Sequence, residues 1–157
     1  MQRLVVVVLT YMTLFAALAW ARPSPEKAAM TPEAMRKLAT HVVQGEVLRI
    51  YETKEVDGPW EYTRYIAEMK VGEVEKGKGV AADDLVYPRW FHRSWRRGVA
   101  PPSGSGHYGW VPRVGQTARA YLAKNATDGF TRENFDGGFS VLVPNGFEQL
   151  KLEPKKR

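Results

Sequence analysis

The segment Tyr87–Gly98, YPRWFHRSWRRG, holds four aromatic residues, four arginines and one histidine in twelve positions. Indole and phenyl faces stack on planar groups. Each guanidinium offers five N–H donors in a planar fork that fits carboxylate or phosphate. In strand alternation, Tyr87, Arg89, Phe91, Arg93 and Trp95 share one face, and Val86, Pro88, Trp90, His92 and Ser94 share the other. Such interleaving suits a single nucleic-acid strand, and equally a sugar or an acidic protein loop. A plainer reading puts Tyr87 and Phe91 in a core, with the arginines solvated or lying over aromatic faces. Pro88 and the arginines would then also discourage edge pairing. Arg89, Trp90, Arg93, Trp95, Arg96 and Arg97 are the candidate ligand-binding residues.

Other spacings approach known motifs and stop short. Gly104–Gly109 spells G-x-G-x-x-G. A dinucleotide fingerprint needs a strand before it and a helix after it, so that phosphate meets the helix N-terminus. Pro101-Pro102 and Pro112 deny both elements. Gly72–Lys78 begins a P-loop but runs into Gly79, without the hydroxyl that holds magnesium. His41, His92 and His107 lie far apart, with no H-E-x-x-H and no pair at helical ligand spacing. Ser103 and Ser105 sit in a glycine-rich loop rather than a strand–turn–helix elbow. Asp83-Asp84 lack a surrounding loop of oxygen ligands. No cofactor or metal is implied. The enzymatic alternative is an exported metal-dependent hydrolase using His92, His107 and Asp83 or Asp84.

The elements that must position these residues are mostly strands. Thr31-Pro32-Glu33 predicts a short helix that ends near Ala39, with threonine as cap, proline in the first turn and an acid beside the amide end. His41–Val56 alternates through Val43, Gly45 and Val47, then shifts phase to Leu48 and Ile50, which predicts a bulge or sharp bend. Tyr62–Lys76 is the cleanest strand. It places Tyr65, Ala67, Met69 and Val71 on one side and Arg64, Glu68 and Lys70 on the other. Leu85–Trp95, Ala118–Lys124 and Phe139–Val143 complete the set, with Pro144-Asn145-Gly146 turning into FEQL. Gly98–Gly115 and Asn125–Gly138 read as loops. About five strands, the first long and phase-shifted, and one short N-terminal helix predict a mainly β fold, a small five-stranded OB-like barrel.

The chain opens MQRLVVVVLTYMTLFAALAWARP. Arg3, the apolar run Leu4–Leu18 and Ala19-Trp20-Ala21 match the three parts of a secretory signal peptide. A membrane anchor would want about 20 apolar residues, and Arg22-Pro23 comes too early. The reading is a signal peptide at 1–21, a polar leader with the short helix at 22–40, the barrel at 41–152 and a basic tail at 153–157. It leaves no membrane span after cleavage and a secreted or extracytoplasmic protein, in the periplasm or envelope if bacterial. The chain has no cysteine, which removes thiol nucleophiles, thiolate metal sites and disulfides. Asn125-Ala126-Thr127 is a glycosylation acceptor only in a eukaryotic secretory route. The net charge of +6 favours anionic partners, but it is modest beside that of nucleic-acid binders and export would remove the chain from most nucleic acid, so nucleic acid is not the expected ligand.

Gly45–Ile50 (GEVLRI), Tyr65–Gly77 (YIAEMKVGEVEKG) and Val111–Leu122 (VPRVGQTARAYL), with the closing SVLVPNGFEQL, resemble the tissue-inhibitor-of-metalloproteinases-like or netrin-like domain. The likeness covers about residues 41–150. It implies an extracellular five-stranded barrel that binds proteins and does not catalyse. In the inhibitors an N-terminal cysteine places its amine and carbonyl on the protease zinc. This chain has no cysteine, so neither that mechanism nor any family site residue carries over. The expected function is non-enzymatic binding of a protein or an anionic polymer. A purely structural envelope protein is the other alternative.

Overall fold

Thr31 caps the helix α1 (Pro32–Leu38). Its Oγ1 accepts the Ala34 amide at 3.3 Å, and Glu33 lies in the first turn. The computed structural model describes residues 29–96, 98, 109–124 and 138–150, all in one compact unit. Residues 1–28, read above as signal peptide and leader, Arg97, residues 99–108 with Ser103, Ser105 and His107, residues 125–137 with the Asn125-Ala126-Thr127 pattern, and residues 151–157 lie outside the described residues.

Seven strands follow among the described residues: β1 (His41–Asp57), β2 (Trp60–Lys76), β3 (Leu85–Val86), β4 (Pro88–Trp95), β5 (Thr117–Lys124), β6 (Phe139–Val141) and β7 (Phe147–Gln149). The run expected as one strand from Leu85 to Trp95 is interrupted at Tyr87, and FEQL supplies a strand of its own. Five of the seven close a ring in the order β1-β2-β4-β6-β5, with β5 returning to β1. All pairings around the ring are antiparallel except β4 with β6, where Pro88 opposes Phe139 and Arg89 opposes Ser140 in parallel. This is the OB-like barrel that the strand pattern predicts.

The phase shift in β1 is a set of bulges. Register breaks fall between Val42 and Val43, Gln44 and Gly45, and Val47 and Arg49, each adding local bend and twist. Gly45 sits where the bent strand meets β2. A Cβ there would enter the Lys70 carbonyl, so only glycine fits. Val43, Val47, Ala67, Met69, Val71 and Leu122 fill the interior, each at most 1% exposed. Met35 and Ala39 of the helix segment cover Val42 and Tyr121 at one side of the barrel.

Polar groups on the barrel's outside link elements that are distant in sequence. The Glu75 carboxylate, only 9% exposed, accepts from Arg36 of α1, from Gln44 Nε2 of β1 at 2.6 Å and from Arg119 Nε of β5 at 2.6 Å. Arg119 Nη1 continues to Glu148 of β7 at 2.8 Å, where the Tyr121 hydroxyl also donates at 3.0 Å. Lys76 Nζ donates to the Arg36 and Ala39 carbonyls at 2.7 and 2.6 Å, satisfying orphan acceptors at the helix end. His41 is buried and lies against Gly77, where a Cβ would overlap its ring. Its Nε2–H donates to the Lys78 carbonyl at 3.0 Å.

The hydrogen bond from Arg119 holds the Glu148 carboxyl below its ordinary value of 4.5, with a second hydrogen bond from Tyr121 adding to it. A carboxyl depressed in the folded state contributes stability above its unfolded value and loses it as pH falls through the folded one. Urea midpoints of the wild type should therefore drop as pH falls below 4.5. Glu148→Gln should be less stable at neutral pH and show a shallower acid drop. An unchanged acid slope would mean that Glu148 is not coupled to folding.

Candidate binding face

Past the barrel, β1, β2 and β4 run on as a three-stranded antiparallel ribbon. Directly opposed residues share a face, and the register defines the rows. On the outer side Asp57, Trp60 and Trp95 form one row, Glu55, Tyr62 and Arg93 the next, then Thr53, Arg64 and Phe91, then Tyr51, Ile66 and Arg89. At two residues per row the four rows span about 20 Å.

Aromatic rings and guanidinium groups alternate across these rows. Trp60 and Trp95 meet edge to face at 4.8 Å between centroids, and Arg93 Cζ lies 4.1 Å above the Trp60 ring. Tyr62 and Phe91 are 6.3 Å apart, with Arg64 Cζ 6.0 Å from the Tyr62 ring. Arg64 Nη2 also pairs with Glu55 Oε2 at 2.8 Å. A guanidinium held flat on an aromatic face loses less freedom when it takes up an acceptor at its edge. Trp60, Tyr62, Arg64, Phe91, Arg93 and Trp95 are all partly exposed.

The inner side of the same ribbon is different. Trp90 is 3% exposed, stacks on Tyr65 at 5.2 Å and meets Phe147 edge-on at 5.2 Å. His92 lies edge-on to Tyr65 at 5.7 Å, and burial holds its pKa below the ordinary imidazole value. Trp90 is therefore a core residue and not a stacking platform, which corrects its place among the candidate ligand-binding residues. Tyr87 is also corrected: it is 47% exposed, and Phe91 lies on the outer ladder. The two faces of the segment divide as alternation predicts, but the inward one is Val86, Pro88 and Trp90. Trp90 buries more apolar surface than either rival and finds Tyr65 opposite it on β2.

Arg89, Arg93 and Trp95 thus come together on the outer face. Arg96 follows at the strand end, exposed, with Nε 3.9 Å from Glu61. Arg97 lies outside the described residues. Trp60, Tyr62 and Arg64 complete the ladder and were missed in the sequence. Their signal was present, since Trp60, Tyr62 and Arg64 repeat on β2 the two-residue spacing of Phe91, Arg93 and Trp95.

The groups of the enzymatic alternative are occupied elsewhere. Asp83 Oδ1 pairs with Lys70 Nζ at 2.9 Å, and Asp84 Oδ2 accepts the Ala81 amide at 2.7 Å. No three metal-ligating side chains gather among the described residues, and His107 lies outside them. No family model matches this chain, and neither does any curated protein or solved structure.

Trp90→Ala should cost about 3–5 kcal/mol, the range for a buried large aromatic. Arg93→Ala should cost less, about 0.5–1 kcal/mol for its partly exposed cation–π contact with Trp60. Urea unfolding followed by far-UV circular dichroism measures both. The reverse order would place Trp90 outside the core.

Proposed function

We propose that this chain is an extracytoplasmic, non-enzymatic binding domain of OB type that contacts its partner through the outer face of β2 and β4. The observation that carries the reading is the aromatic–arginine ladder formed by Trp60, Tyr62, Arg64, Phe91, Arg93 and Trp95. In OB barrels the second and third ring strands form the ligand face, and here those strands are β2 and β4. Tryptophan, tyrosine and arginine are also the residues that dominate binding energy at protein interfaces. The resemblance to netrin-like domains points the same way, toward protein binding outside the cytoplasm. The N-terminal segment, read as a signal peptide, supports export. Among the described residues no helix is long and apolar enough to cross a membrane.

Charge narrows the ligand. Glu55 and Asp57 occupy the same rows as Tyr62 and Trp60, so a phosphate chain laid along the ladder would run beside two carboxylates. A protein with charges of both signs, or a sulfated or carboxylated surface that touches only the arginine column, meets no such repulsion.

Trp60 and Trp95 serve as reporters for titration with heparin, polyglutamate and single-stranded DNA. Salt-sensitive fluorescence changes with heparin or polyglutamate, weakened by Arg89→Ala with Arg93→Ala, are expected. Submicromolar quenching by DNA, with a log–log salt slope growing by about 0.7 per phosphate contacted, would overturn the ligand class. Full binding by the double arginine variant would overturn the site.

A further inference from the structure

Beyond the ladder, the ribbon has an open edge whose residue order matches itself. β5 pairs with β1 only over His41–Glu46, and the Val47 backbone adds contacts with Gly115 and Gln116. From Arg49 to Asp57, β1 pairs with β2 on one side, and no strand among the described residues pairs with it on the other. Every residue from Tyr51 to Asp57 is exposed.

This edge, from Arg49 to Asp57, reads RIYETKEVD. Turned end for end about Thr53, it sets Arg49 opposite Asp57, Ile50 opposite Val56, Tyr51 opposite Glu55 and Glu52 opposite Lys54. Opposite charges meet at two positions, apolar side chains at a third, and a phenol meets a carboxylate at the fourth. Neighbouring registers lose this match. Centring on Glu52 keeps one opposite-charge pair, Arg49 with Glu55, and one apolar pair, Leu48 with Val56, but sets Glu52 against itself and Ile50 against Lys54. Centring on Lys54 sets Lys54 against itself and Glu52 against Val56. Direct opposition in an antiparallel pair requires both residues to share a face, and all four pairs satisfy that. Charged edges commonly discourage further strands, most strongly where like charges come directly opposite. Here unlike charges meet.

We infer that β1 pairs antiparallel with the β1 of a second copy of this chain, about a two-fold axis through Thr53. Two-fold contacts are self-complementary by construction, residue i meeting j as j meets i. The pairing joins two ribbons into one six-stranded sheet. Its axis stands perpendicular to the sheet, so both ladders face the same way and the surface becomes bivalent, which raises avidity for an extended partner. One added strand buries less than the roughly 1,200–2,000 Å² of stable interfaces, so the dimer depends on concentration.

Sedimentation equilibrium of the full chain, processed as the exporting cell leaves it, tests this over a wide concentration range. A monomer–dimer equilibrium is expected for the wild type. Glu52→Lys and Lys54→Glu each place like charges together twice per dimer and should weaken association about tenfold or more. The double swap, Glu52→Lys with Lys54→Glu, restores the opposition and should recover most of the wild-type affinity. Circular dichroism melts of the variants at low concentration should match the wild type, because these side chains are exposed. A wild type that stays monomeric throughout overturns the inference. So does a dimer indifferent to the single swaps, or one that the double swap fails to rescue. The ladder titrations report separately, so either reading can fail without the other.

Discussion

The barrel closes where β5 lies against the first half of β1, and that seam is the constraint on which the rest depends. Small apolar residues make it possible: Ala118 and Ala120 pair with Gly45 and Val43, and all four are buried. From outside, Glu75 holds the same seam by accepting from β1, β5 and α1 together. A carboxylate so little exposed is tolerable only when its oxygens are fully engaged. Its three donors meet that condition and specify the closed register.

Closure divides β1 into two working halves. Up to Val47 the strand is a stave of the barrel, bulged and buried. Beyond Arg49 it leaves the barrel with β2 and β4 beside it, and its side chains face water on the outer side. Stability therefore resides in the ring, while the ribbon is spared the close packing that restricts residue choice. The ribbon carries the aromatic and arginine side chains that a core would exclude. Tyr65 of β2 and Trp90 of β4 stack on each other and pack against the barrel core beneath the ribbon. Arginines already held against aromatic rings, as Arg93 is over Trp60, lower the ordering cost of any contact they make.

Much of this was legible locally. The Thr31 cap, the alternation of β2 and the phase shift after Val47 are short-range signals with direct physical causes. What could not be read were pairings set by the whole ring. The parallel contact of β4 with β6 joins residues some fifty positions apart. The Arg36–Glu75–Arg119–Glu148 chain draws on α1, β2, β5 and β7. Neither leaves a mark in any local window. The inward side of β4 was ambiguous for the same reason. Both of its faces carry large aromatics, and the choice rests on Tyr65, a residue of the neighbouring strand. Trp60, Tyr62 and Arg64 escaped notice because their pattern acquires meaning only when β2 lies beside β4.

The division of β1 into a barrel half and a ribbon half is most directly tested by native-state hydrogen exchange on dilute protein. Amides of residues 42–47 and 118–122 should exchange only through global unfolding, with denaturant dependence equal to that of the whole domain. Amides of residues 50–56 and 61–64 should exchange through local opening with little denaturant dependence. Equal protection along the full length of β1 and β2 would contradict the account, because it would make the ribbon part of the same cooperative unit as the barrel.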